Sequence, residues 1–281
     1  PCPQVVTVHD LAFERLPDCF APAFRRWASL THRRAARGAD AVVCVSQTTR
    51  RDAQARWGVD GARIVVAPHG PGQEHARSAQ PAAEPRRSGT DRAPHAASQP
   101  ARRERATHPA PQHFLYIGDD EPRKNLALLL AAYARYRDEA GDGEAAALEL
   151  VLAGRSGATG EHRPGVRRER EPDLAALLSG AVALVHPALH EGFGLTALEA
   201  MRAGVPVVAA RSPGLSETCG DAALYVDPYD VGGLARELAR IAADPELRAT
   251  LAARGLERAA AFSWRASARA HIAAYTLAAH A

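Results

Sequence analysis

The chain has 281 residues, 46% of them hydrophobic, and a formal net charge of +3 at pH 7. That length suits one large or two modest globular domains, and no basic stripe with interleaved aromatics argues for a nucleic-acid partner. Four cysteines (Cys2, Cys19, Cys44, Cys219) show no metal-binding or disulfide spacing, so a reducing, cytoplasmic compartment is expected, without a metal or cofactor framework; neither a signal peptide nor an apolar run of membrane-spanning length is read.

In chain order, the first strand-like run is Gln4–Val8. It ends in His9 and Asp10, and polar residues at a buried strand's end mark ligand loops in α/β sheets. A packed or capping role is the competing reading of His9. A helical pattern covers Pro22–Arg37. It is rich in arginine and amphipathic, so it reads either as a solvated face or as a peripheral membrane contact. A second strand, Ala41–Val45, leads to Ser46, a helix N-cap for a segment reaching about Arg56. A third strand is Arg63–Ala67. Residues 71–112 then contain no Val, Ile, Leu, Met, Phe, Trp, Tyr or Cys and seven of the chain's 20 prolines. Such a segment buries too little surface to order itself, and a disordered linker is expected.

Beyond it, strands and helices alternate. Strands are expected at His113–Ile117, Leu148–Ala153, Ala183–His186, Val205–Ala209 and Ala223–Val226. Helices are expected at Asn125–Asp138, Pro172–Leu178, Leu195–Arg202, Val231–Ala242, Pro245–Phe262 and Trp264–His280. Continuous apolar strands between helices predict an α/β fold with a parallel sheet covered on both faces. The glycines of 154–160 fit neither the Walker nor the GxGxxG spacing, and a loop is expected there.

Two features point to chemistry. In His190-Glu-Gly-Phe-Gly-Leu-Thr-Ala-Leu-Glu-Ala-Met201, a glycine-rich turn runs into a helix. Glu191 precedes the turn. Gly192 and Gly194 let backbone N–H groups approach a ligand. Glu199 lies among Leu195, Leu198 and Met201, where a carboxylate is costly unless donors such as sugar or ribose hydroxyls meet it. The second feature is Lys124, the one lysine among 35 Lys+Arg. A compact ammonium suits phosphate better than a planar guanidinium does; an arginine-biased composition that left one lysine by chance is the alternative.

The string Glu121-Pro-Arg-Lys-Asn125, the paired glutamates, Ala203-Gly-Val-Pro-Val-Val208 and Gly220-Asp-Ala-Ala-Leu-Tyr-Val-Asp-Pro228 resemble a family-4 glycosyltransferase with the GT-B fold, of the bacterial group 1, mannosyltransferase-like kind. Thr7-Val-His-Asp-Leu11, Ala39–Ser46, Val65–Gly70 and Phe262-Ser-Trp-Arg-Ala266 agree with it. The resemblance implies two Rossmann-like parallel-sheet domains: an N-terminal acceptor side at 1–70, the linker at 71–112, and a C-terminal donor side at 113–281. It implies transfer from a nucleotide-diphosphate sugar to a glycan, lipid or other acceptor, with retention and without a metal, in the cytoplasm or at the inner face of the membrane. By the same resemblance Glu191 meets sugar hydroxyls and Glu199 the ribose. The region of Gly118 and the amides of Gly192, Phe193, Gly194 and Leu195 line the donor, Arg123 and Lys124 neutralise the diphosphate, and His9 stands near the transferred sugar. The N-terminal domain is expected to lack its first half, because the family's opening strand and glycine loop lie upstream of the His9 strand. The helix, strand and glycine loop that the family carries between Gly154 and Asp173 are expected to be lost as well. A donor-binding remnant without catalysis is the alternative function, and an epimerase of the same shape the third.

Overall fold

A computed structural model describes residues 2–72, 113–141, 147–154 and 163–281. Most of the expected linker and most of the glycine-rich loop lie outside those residues.

Two parallel sheets form. In the first, β1 (Val5–Val8) pairs with β2 (Ala41–Cys44), and β2 with β3 (Ile64–Val66), giving the order β1-β2-β3. Val6 faces Val42, and Val43 faces Val65. The connections are a short helix α1 (Ala12–Arg15), then α2 (Pro22–Gly38) and α3 (Gln47–Trp57). Ser46 caps α3 as the sequence indicates, accepting from the Thr49 N–H. One face of this sheet buries Val42, Cys44, Trp57, Phe13, Ala28 and Ala36 together.

The second sheet has the order β6-β5-β4-β7-β8-β9. Its strands are β4 (His113–Ile117), β5 (Glu149–Ala153), β6 (Val166–Glu169), β7 (Ala181–His186), β8 (Val207–Ala210) and β9 (Ala223–Val226). The helices between them are α4 (Leu126–Ala140), α5 (Leu174–Ser179), α6 (Leu195–Arg202) and α7 (Pro213–Cys219), and α8 (Val231–Ala243) and α9 (Pro245–Ala260) follow β9. Side chains alternate with the two-residue period of a strand. Leu115, Val151 and Leu184 join Leu198, Met201 and Leu215 on one face. Phe114, Leu150 and Val185 join Leu129, Leu234 and Leu238 on the other. Burial of each such leucine contributes about 1.5–3 kcal/mol.

Three elements were not expected, the short α1, β6 and α7. β6 lies in the arginine- and glutamate-rich stretch where a lost strand was anticipated. It pairs with β5 along one side only, Leu150 opposite Val166, and as an edge strand it keeps charged side chains. α7 starts at Pro213-Gly214, residues that read as punctuation rather than helix.

The helix α10 (Trp264–Ala279) follows the second sheet in sequence but packs on the first. Ala274 and Ala278 rest on Ala41 and Val43, with Val5 and Val65 beside them. Alanines let the helix approach the strands closely. β1–β3 with α1–α3 and α10 make one lobe, and β4–β9 with α4–α9 the other.

Candidate functional site

β4 and β7 are neighbours, but the chain leaves β4 toward β5 on one side and reaches β8 from β7 on the other. The crevice beyond the carboxyl ends of such a strand pair is where open α/β sheets bind ligands. Both loops that reach it carry candidate residues. Gly118 ends β4, and its N–H donates to the Ala153 carbonyl at 2.9 Å. A single helical turn, Pro122–Lys124, then presents Arg123 and Lys124. It stops at Asn125, which takes the left-handed conformation with φ 58°. The Asn125 side-chain amide donates to the carbonyls of Pro187 (3.2 Å) and Pro228 (2.8 Å), and the Leu189 N–H donates to the Arg123 carbonyl at 2.9 Å. These bonds stitch the β4 and β7 loops together and fix where Lys124 points.

Lys124 Nζ donates to Glu191 Oε1 at 2.5 Å. Arg123 Nη1 stands 3.6 Å and His186 Nε2 3.7 Å from the same oxygen. Arg123 Nε also pairs with Glu121 at 2.8 Å. Glu191 and His186 are buried. Burial pushes the Glu191 carboxyl up, but His186, Lys124 and Arg123 outweigh it and hold the group below its ordinary range. Burial pushes His186 down to about 4, against the pull of Glu191, so the ring is neutral at pH 7. The expected partners of Glu191 and Lys124 are a sugar and a diphosphate; the structure pairs the two side chains with each other.

Gly194 caps α6 with φ 94°, a conformation that favours glycine. The amides of Phe193, Gly194 and Leu195 have no acceptor among the described residues. They belong to the positive end of α6, one loop from two cations, an arrangement whose potential favours negative charge. Glu199 lies further along α6, half-buried, and Gly72 passes against its carboxylate. His9 is exposed at the end of β1 and stacks on His69 with ring centroids 5.6 Å apart. It joins the glycine turn through backbone: a Cβ on Gly192 would lie 1.9 Å from the His9 carbonyl oxygen.

Sequence reasoning missed His186 and His190. Both are buried histidines. The available signal for His186 was the one used for His9, a polar residue closing an apolar strand. Among the described residues no group of three or more His, Cys, Asp or Glu could hold a metal ion.

Comparison with known proteins adds to this geometry. The family model described as glycosyl transferases group 1 matches residues 98–258, more than half of the chain, and that of glycosyltransferase family 4 matches residues 1–71. The O-antigen chain mannosyltransferase B of Escherichia coli is 36% identical over 178 residues, covering 59% of this chain and 46% of that protein. A D-inositol 3-phosphate glycosyltransferase of Salinispora arenicola is 32% identical over 248 residues, covering 80% of this chain and 52% of that protein. The chain thus spans about half the length of the curated relatives it matches. Among solved structures, the sucrose-phosphate synthase of Thermosynechococcus elongatus superposes with a TM-score of 0.70 at 24% identity, over 99% of this chain and 68% of that one. WaaG, a glycosyltransferase involved in lipopolysaccharide biosynthesis, does so with 0.69 at 18% identity, over 99% and 75%. The fold shared with them is GT-B.

Proposed function

The chain belongs to the group 1 glycosyl transferases, and from that premise we propose that it moves a sugar from a nucleotide-diphosphate sugar to an acceptor, with retention at the anomeric carbon. The observation that carries this reading is the convergence of Arg123, Lys124, Glu191 and the unengaged amides of residues 193–195 on the crevice beyond β4 and β7. Glycosyl transfer builds negative charge on the departing diphosphate. Fixed cations and a helix N-terminus stabilise that charge in place, which is the larger part of what such a site must do. The donor takes Lys124 and the amides through its phosphates, and Glu191, released from Lys124, meets the sugar hydroxyls. Glu199 takes the ribose, and His9 lies over the transferred sugar from the other lobe. In this reading the two cations perform the charge neutralisation for which other sites use a metal.

The acceptor is a glycan, a lipid or another molecule, and the chain works in the cytoplasm or at the inner membrane face. No helix among the described residues is long and apolar enough to cross a membrane. α2 supports peripheral contact: Trp27 is 58% and Leu30 70% exposed, among Arg26, Arg33, Arg34 and Arg37, with no acidic residue in the helix. Donor-binding without transfer is the second reading, supported by the candidate donor residues lying on the second lobe, Arg123 and Lys124 after β4 and Glu191 after β7.

Incubation with nucleotide-sugar donors in EDTA, followed by NMR of the product anomer, tests the function. Transfer with retention supports it. Tight nucleotide-diphosphate binding without turnover establishes the second reading, and inversion or a strict metal requirement overturns the mechanism. Sedimentation with anionic vesicles tests the membrane contact, and equal binding by Trp27→Ser would remove it.

A further inference from the structure

Consecutive carbonyls of the glycine turn are each engaged, and by helices of both lobes. Gly214 of α7 lies against the Glu191 carbonyl, where a Cβ would stand 1.9 Å from the oxygen. Ser46 Oγ, at the start of α3, donates to the Gly192 carbonyl at 2.6 Å. Thr218 Oγ1 of α7 donates to the Phe193 carbonyl. Thr49 Oγ1 of α3 also reaches the His9 carbonyl at 3.3 Å. The turn that carries Glu191 and the strand end that carries His9 therefore meet at the N-terminus of α3.

One side chain joins the two helices there. Glu217 of α7 accepts from the N–H of Gln47 at 2.6 Å, the N–H of Thr48 at 2.8 Å and the Thr48 hydroxyl at 2.8 Å. The first amides of a helix have no partner within it, so this carboxylate satisfies two of them from the opposite lobe. Arg51 lies 3.9 Å away as a further cation. α7 is itself held: Arg258 of α9 donates to the carbonyls of Glu217 (2.7 Å) and Thr218 (2.9 Å). A clamp anchored in one lobe and closed on the other fixes their register at the catalytic crevice.

We propose that Glu217 is a positioning residue that latches α3 to α7 and so holds His9 in register over the glycine turn. The latch stands on the contacts alone; its effect on turnover rests on the transferase reading. Hydrogen exchange reads the first. In the parent chain the Gln47 and Thr48 amides exchange slowly for first-turn positions. In Glu217→Ala they speed up by about 10- to 100-fold, the loss of a charge-assisted bond, while the amides of α4 and α8 are unchanged. Thr48→Val, made on the opposite lobe, moves exchange at the same helix end in the same direction. Glu217→Gln, which keeps an acceptor of the same shape, restores part of the protection. On turnover, Glu217→Ala lowers kcat and leaves nucleotide-diphosphate affinity as it was, because the donor loops belong wholly to the second lobe. Fast exchange at Gln47 and Thr48 in the parent overturns the latch. Accelerated exchange with kcat intact overturns the positioning role. A parent chain that exchanges slowly yet transfers no sugar keeps the latch and counts against the transferase reading.

Discussion

Lys124 and Glu191 neutralise each other in a crevice that also holds Arg123 and the neutral ring of His186. Truncating Lys124 to Ala is expected to weaken binding of a nucleotide diphosphate by about 1.5–3 kcal/mol, checked by calorimetry in EDTA; equal affinity would remove its role. The same change lowers stability at neutral pH, since Glu191 loses a cation. Because the folded carboxyl sits below its ordinary range, that difference is full above the usual glutamate pKa. It fades as pH falls through the lowered value. His186 has the opposite origin but the same acid-side sign. Folded, it titrates at about 4, against 6.5 for an exposed ring. Between those values the unfolded chain binds the extra proton, so stability is lost as pH is lowered from about 6.5 to about 4, by roughly 3 kcal/mol in all. His186→Asn should flatten the acid limb of a urea-midpoint profile; an unchanged slope would mean the ring is not held neutral.

At the scale of elements, alternation was legible because β4, β5 and β7 are apolar runs bounded by turn residues, and Ser46 was legible because a cap is a local event. The glycine turn was legible as a loop meeting a helix. β6 was not, since an edge strand bearing Arg167, Arg168 and Glu169 carries no apolar run to read. Nor was the hold of Glu217 on α3, which spans 169 residues to Thr48 and leaves no trace in local pattern. Gly214 shows how packing overrules propensity. Alanine gains up to about 1 kcal/mol over glycine inside a helix. At Gly214 a Cβ would press on the Glu191 backbone carbonyl, which cannot give way as a side chain does. Gly214→Ala should therefore cost about 1–3 kcal/mol by urea unfolding. Gly38→Ala, with open space around it, should be neutral or stabilising. Parity between the two would show that α7 yields freely.

The whole molecule is held together by a crossing: α10 leaves the six-stranded lobe and closes the back of the three-stranded one. Removing residues 263–281 should uncover Ala41, Val43 and Val65 and unfold the first lobe, while the second sheet stays protected. Hydrogen exchange across β2 and β5 checks this, and persistent protection of β2 would show that the first sheet stands without its cover. Synthesis adds a constraint that equilibrium contacts do not display. Roughly 200 residues separate β3 from α10, which at translation rates of about 5–20 residues per second is ~10–40 s of elongation. For that interval one face of the nascent first sheet has no helix to lie under it. The lobe that is begun first is therefore also finished last, closed only once α10 has been made.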